Sequence, residues 1–485
     1  MAKAGWAVTV LEKQSSPGGR ARQLKEAGFV FDMGPSWYWM PDVFERFFNC
    51  FGKKVSDYYT LDRLDPSYRV YWPKGPGGSE AVMNIPADYN ELKQLFESIE
   101  PGSAAKLDSF MKEALYKYEV GINKLVHKPG QSYAEFLDWD LVKGVFKLDV
   151  FTSMKKHISK HFKNPRLQQL LEFPVLFLGA LPEDTPALYS LMNYADIKLG
   201  TWYPQGGMYK IVEGMCSVAE ELGVQFVFNS NVNEIQVEQG KAKGVTAVTG
   251  VNGQPETVTS YAADVVIGAA DYHFIETNLL PQKYRSYSEE YWDKRVMAPS
   301  CLLYYVGLNK KLEGVLHHTL FFDSDFEIHG KEIYTSKQWP TDPLFYVCTP
   351  SVTDETVAPP GHENMFFLIP VATGLKGDTK ILREAYFEKI LERFEKYSGQ
   401  CIRESIIFKK TYSVSNFVND YNSFKGNAYG LANTLMQTAN LKPACRSIKI
   451  KNLFYTGQLT VPGPGVPPSL ISGEVVAKEA TRHFG

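Results

Sequence analysis

The sequence predicts an α/β fold: a doubly wound layer assembled from separated stretches of chain, with a mixed α+β domain inserted between them. Three observations carry this reading. Short apolar runs at residues 7–12 (AVTVLE), 224–228 (VQFVF), 264–267 (DVVI) and 452–456 (NLFYT) read as buried strands. Glycine-bearing turns follow three of them: QSSPGGR at 14–20, Gly268 after the third strand, and a Gly/Pro loop at 457–468 that leads into a helix over 469–482. The first and last stretches are alike in kind, whereas residues 89–199 read as helical and 271–444 mix strands with helices. At 485 residues the chain exceeds the roughly 250–300 at which a single core stops growing, so two domains are expected. The layer is expected from residues 1–75, 205–270 and 445–485, and the inserted domain from 76–204 and 271–444.

In chain order, residues 2–6 (AKAGW) read as the last turn of a helix closed by Gly5, ahead of the strand at 7–12. Residues 29–32 (FVFD) form a short strand that runs into Met33-Gly34-Pro35-Ser36. Amphipathic helices are expected at 90–99 and 103–125. Gly206-Gly207 opens a helix over 206–222. A strand begins at 232–237, and 242–249 with 256–260 read as hairpin strands. In the inserted domain 302–308 (LLYYVGL) and 365–370 (MFFLIP) are strands, and 381–397 is an amphipathic helix.

Composition narrows the function. The formal net charge of −2 offers no basic face for nucleic acid. The six cysteines are scattered without a CxxC pair, which predicts neither a metal centre nor a disulfide framework and suits a reducing cytoplasm. The most apolar stretch, 173–181 (FPVLFLGAL), is shorter than the roughly 20 residues a membrane span needs, and no signal peptide is evident. Aromatic residues make up 14% of the chain, and their flat apolar walls suit a large apolar ligand.

A dinucleotide site needs backbone amides at a helix N-terminus, glycines that allow close approach, and an acid at the end of the second strand that binds ribose. Glu12 is placed as that acid. The glycine fingerprint belongs about 20 residues earlier, yet eleven residues precede Glu12. A strand and a GxGxxG loop are therefore expected upstream of Met1. Without that strand, those on either side of it lack a partner and the protein should be poorly stable.

Gly18-Gly19-Arg20, followed by Asp32-Met33-Gly34-Pro35, resembles the flavoprotein superfamily of amine oxidases, protoporphyrinogen oxidases and carotenoid desaturases. The stretch 452–477 (NLFYTGQLTVPGPGVPPSLISGEVVA) resembles the C-terminal strand, loop and helix of carotenoid desaturases, in a form like that of flavobacterial phytoene desaturases. Residues 201–215, 263–271 and 424–431 extend the likeness across the chain. The resemblance implies a Rossmann-like FAD-binding domain that here lacks its first strand. It implies that Glu12 binds ribose, that Gly19 and Arg20 approach the diphosphate, and that the backbone of Val232 meets adenine. It places Gly34, Pro35 and Ser36 beside the isoalloxazine, Gly457 near the pyrophosphate, and Gly465, Val466 and Pro467 near the flavin ring.

The activity so implied is stepwise FAD-dependent dehydrogenation of phytoene to lycopene, on a long polyene held in an aromatic tunnel. Trp37, Tyr38, Trp39, Phe424 and Tyr429 suit its wall. No catalytic base stands out: Asp32 and Glu213 suit structural roles, and His273, His317, His318 and His329 are dispersed. Residues 146–166 mix apolar residues with Lys155, Lys156, Lys160, Lys163 and Arg166, a composition suited to peripheral contact with an anionic bilayer. Two other readings stand beside this one. One is another oxidase of the superfamily, such as an amine oxidase. The other is a carotenoid-binding or non-functional fragment, suggested by the missing glycine loop.

Overall fold

The computed structural model describes residues 1–73, 82–132, 135, 148–176, 179–250 and 257–485. Residues 146–147, 177–178 and 256, which belong to stretches singled out above, lie outside the described residues.

Two short parallel ladders join segments far apart in sequence. Thr9–Leu11 pairs with Gln225–Val227, and Val266–Gly268 pairs with Leu453–Tyr455. Among the described residues no strand bridges the two ladders, and Thr9–Leu11 is paired on one side only. Ser230–Glu238, Lys241–Thr249 and Thr257–Ala262 form an antiparallel meander. Gly244 sits in it at φ +153°, where a Cβ would lie 2.0 Å from the Tyr261 carbonyl oxygen, so only glycine fits.

The largest sheet has seven strands, in the order Ile406–Tyr412, Ser300–Leu308, Glu363–Val371, Phe345–Cys348, His318–Phe321, Tyr68–Tyr71 and Val82–Ile85. Every residue of Ser300–Leu308 is buried, which explains its unbroken apolar sequence: both faces are covered. Leu302, Tyr304, Val306 and Leu308 pack with Phe387, Ile390, Leu391 and Phe394 of the helix Lys380–Ser398. Cys301, Leu303 and Tyr305 point the other way, into a core that contains Phe31, Trp39 and Phe173. This is the two-residue alternation of an extended strand. Each such side chain contributes roughly 1.5–3 kcal/mol by burial, so a charge introduced at Val306 would break this layer.

Several element boundaries differ from expectation for local reasons. Gly206 and Gly207 adopt φ +91° and +97°, so they form a turn and the helix runs Tyr209–Glu221. The expected helix over 103–125 is α-helical from Ser103 to Val120 and then widens into a π-turn, Gly121–Leu125. The C-terminal helix spans Val466–Phe484 and starts earlier than expected. Proline is tolerated in a first turn, where backbone N–H groups have no helical partner. Among the described residues no helix is long and apolar enough to cross a membrane.

Candidate functional site

The site is built where the two parallel ladders end. The backbone N–H of Glu12 donates to the Val227 carbonyl, and its own carbonyl accepts from Ser230 N–H at 2.8 Å. The Glu12 carboxylate accepts from Gln14 N–H at 2.7 Å. Burial is the main influence on its pKa and raises it, opposed by that N–H and by Arg22. Val232 lies two residues beyond the Ser230 contact, opposite Ala247. An acid near residue 12 and a strand near residue 232 are thus brought side by side.

The two glycines of the Gly18-Gly19-Arg20 turn do different work. A Cβ on Gly18 would meet Tyr209 and Val212 at 3.3 Å, so Gly18 allows the turn to pack on the helix Tyr209–Glu221. A Cβ on Gly19, at φ +52°, would meet nothing within 4 Å, so its face is open. The Arg20 guanidinium donates to Ser423 Oγ at 2.9 Å and to the Asn427 carbonyl at 3.3 Å, and it lies over the Tyr421 ring. The Gln458 amide oxygen, turned toward it, accepts from both terminal nitrogens at 3.0 Å. Arg20 Nε is buried without a hydrogen-bond partner. Arg20 thereby ties the N-terminal turn to residues 423–427 and to the C-terminal loop.

In that loop Gly457 adopts φ +105°, and a Cβ there would meet nothing within 4 Å. Its N–H donates to Ser472 Oγ at 3.0 Å. Gly465, at φ +113°, precedes the helix that begins at Val466, and Pro467 follows in its first turn. Pro467 and Pro468 have no N–H, so Val466 is the one residue among the first three of this helix that carries a backbone donor.

Asp32 caps a helix. Its carboxylate accepts from the N–H groups of Met208 at 2.7 Å and Tyr209 at 3.0 Å. Burial pushes its pKa up to about 7 against the pull of those two donors. Gly34 makes a close approach, but to protein: a Cβ would lie 2.6 Å from the Arg20 carbonyl oxygen. Pro35 continues the turn, and Ser36 Oγ accepts from Tyr346 OH at 3.1 Å.

The aromatic residues divide. Trp37 stacks on His318 with ring centroids 4.0 Å apart and planes 10° from parallel. Trp39 lies 5.2 Å from Trp37 and donates to Thr201 Oγ1, and Tyr429 packs on the same core. Tyr38 points to the opposite side of the extended chain, against Phe44, with its hydroxyl 3.0 Å from that of Tyr59. Phe424 lies in a third cluster, 4.0 Å from His273 and near Trp292. Of the five aromatics expected to form one wall, Trp37, Trp39 and Tyr429 belong to one core, while Tyr38 and Phe424 lie in two others. Strand alternation gave a signal for Tyr38; nothing local distinguished Phe424. His329 is held by Leu344 N–H and the Pro370 carbonyl, and His273 pairs with Glu289 near the surface.

These features fit a flavin dinucleotide: an acid at a strand end, two glycines with open faces, and a helix entry at Gly465. The chain matches the family of flavin containing amine oxidoreductases over residues 1–481 and belongs to it. It is an FAD-dependent oxidoreductase. Among its relatives, a carotenoid 3,4-desaturase of Haloarcula japonica is 40% identical over 479 residues, covering 99% of this chain and 94% of that protein. A zeta-carotene-forming phytoene desaturase of Myxococcus xanthus is 28% identical, covering 99% of this chain and 90% of the relative. An oxidoreductase structure from Methanosarcina mazei superposes with a TM-score of 0.62 at 17% identity over 98% of this chain and 95% of that one, a likeness of fold.

Proposed function

We propose that this protein is a carotenoid desaturase that removes hydrogen from a long polyene precursor, with FAD as the acceptor. The observation that carries the reading is the 40% identity, over 99% of the chain, to the Haloarcula japonica carotenoid 3,4-desaturase. In this reading residues 1–75, 205–270 and 445–485 hold the cofactor, and 76–204 with 271–444 hold the substrate. Glu12 and Val232 bracket the adenosine, and Gly19 and Gly457 flank the diphosphate. Gly34, Pro35, Ser36, Gly465, Val466 and Pro467 face the isoalloxazine. Arg20 acts through Ser423, Asn427 and Gln458 and holds three segments around the diphosphate.

When bound, FAD supplies the hydride acceptor at flavin N5. The chain's own residues orient the polyene and keep water out. Trp37, Trp39 and Tyr429, which share one core, are assigned to the apolar wall along the polyene. Next to Ser36, that wall lies beside the residues assigned to the flavin ring.

Two reactions fit this reading. Desaturation at carbons 3 and 4 is favoured by the 40% relative, and stepwise conversion of phytoene to lycopene by the 28% relative. The substrate is dissolved in lipid, so we also propose peripheral membrane contact. Phe151, 79% exposed, next to the helix Met154–His161 with Lys155, Lys156 and Lys160, supports it. The test is expression of the full chain in cells that supply either phytoene or a carotenoid saturated at carbons 3 and 4. Extracted pigment is analysed by mass spectrometry for loss of hydrogen pairs. A product from only one precursor decides between the two reactions. Flavin-loaded protein that changes neither polyene but oxidises amines would sink the desaturase reading. Protein that holds no flavin would point to a non-catalytic homologue.

A further inference from the structure

The seven-stranded sheet gathers three metal-ligating side chains that the sequence leaves apart. His318 and Cys348 are cross-strand partners in the antiparallel pair His318–Phe321 and Phe345–Cys348. His317, just before the first of these strands, lies beside them, with its ring 4.5 Å from that of His318. One donor atom from each of His317, His318 and Cys348 lies within 4.8 Å of the other two. All three residues are buried. Cysteine spacing carries no sign of this group, because Cys348 and the two histidines are some thirty residues apart in sequence.

A second observation points to a ligand. Buried polar atoms are almost always hydrogen-bonded, yet Nε2 of His317 and Nε2 of His318 have no partner. The other ring nitrogens are engaged: His317 Nδ1 lies 2.9 Å from Thr353 Oγ1, and His318 Nδ1 lies 2.6 Å from Tyr346 OH. An outer hydrogen bond on one imidazole nitrogen, with the other left bare, is the usual arrangement of a metal-binding histidine.

We propose that His317, His318 and Cys348 bind a borderline-soft divalent transition metal, with zinc the ion that this donor set fits best. Two imidazoles and a thiolate match that class. Metal–nitrogen and metal–sulfur bonds of about 2.1 and 2.3 Å at a tetrahedral angle put donor atoms about 3.6 Å apart. The donors lie within 4.8 Å of one another, so binding draws the widest pair in by at most about 1.2 Å. Burial keeps both imidazoles neutral, His317 down to about 3 and His318 well below its usual value, and a neutral ring is the form that binds metal. Burial also pushes the Cys348 thiol up to about 12, so binding must expel its proton as the sulfur–metal bond forms. Two nearby carboxylates act on the donors: Asp354 favours the protonated form of His317, and Asp32 makes the Cys348 proton harder to remove.

A second group, Glu113, His157 and His161, has comparable spacing but holds a cation already: Lys117 Nζ lies 3.4 Å from His157 Nε2. No such cation is hydrogen-bonded to His317 or His318 among the described residues. A metal here would also fix the His318 ring on which Trp37 stacks, stiffening one side of the aromatic wall.

A buried site is loaded as the chain folds, so the test starts in the cell. The full chain is expressed in minimal medium containing zinc or cobalt, and the purified protein is analysed for metal by mass spectrometry. About one equivalent is expected. The cobalt form should show ligand-field bands to the red of the flavin absorption. Cys348→Ser and His317→Gln should each lower the metal content at least about tenfold, since even loss of an outer partner can cost that much affinity. Cys401→Ser, at an exposed cysteine, should not. Zinc-edge X-ray absorption on the wild-type protein needs no variant, and should show a mixed nitrogen and sulfur shell. Wild-type protein free of metal, a shell without sulfur, or unchanged metal content in Cys348→Ser would each overturn the proposal.

Discussion

The carboxylate of Asp32 accepts the backbone N–H of Met208 at 2.7 Å and so joins the end of the strand Phe29–Asp32 to the entry of the helix Tyr209–Glu221. Tyr209 N–H donates to the same carboxylate at 3.0 Å. Asp32→Ala should leave two buried donors unpaired, at about 1–3 kcal/mol each. The expected outcome is a lower urea midpoint with an unchanged slope, and a smaller loss in Asp32→Asn, which keeps one acceptor. Equal midpoints for wild type and Asp32→Ala would show that solvent replaces the cap.

Gly457 tests the diphosphate assignment. A side chain at φ +105° is strained by roughly 1–3 kcal/mol, but a Cβ there meets no atom within 4 Å. Gly457→Ala should therefore lower the unfolding temperature of flavin-free protein modestly and reduce bound flavin much more strongly. The ratio of flavin to protein absorbance reads this directly. Full flavin occupancy in the variant would move the diphosphate away from Gly457.

Trp37 separates wall from scaffold. Trp37→Phe keeps a ring against His318, while Trp37→Ala opens a cavity in a dense aromatic core, at about 3–5 kcal/mol. The conservative variant should raise KM for the polyene several-fold and leave flavin content alone. An unchanged KM would mean that the polyene runs elsewhere.

Lys442 gives a pH signature. It is buried, donates to Asn433 Oδ1 at 2.9 Å, and burial lowers its pKa to about 7. Between about pH 7 and its ordinary value near 10.5, the folded state binds fewer protons than the unfolded chain. Stability should rise with pH across that window, by about 1.4 kcal/mol per unit for one full proton. Lys442→Met should flatten this rise and be the more stable protein near neutral pH. Parallel stability curves for the two proteins would show that Lys442 keeps its proton throughout.

Much of the site was legible in the residues themselves. The Gly-Gly turn after a strand that ends in an acid, and the C-terminal loop and helix, were marked by their glycines and prolines. Other contacts could be read only once the chain was folded. Gly34 is glycine because the Arg20 carbonyl crowds it. The Arg20 guanidinium turns toward Ser423, Asn427 and Gln458, residues some four hundred positions away, which no local pattern connects to it.

By itself, then, the sequence determined the class of fold, the strand-ending acid and the glycine positions, because apolar periodicity and backbone freedom are written in consecutive residues. Only the tertiary structure decided that Phe424 lies in a separate cluster beside His273, that Trp37 lies on His318, and that His318 stands opposite Cys348. Strand register and ring stacking are set by how the whole core packs, and that depends on contacts between residues that are remote along the chain.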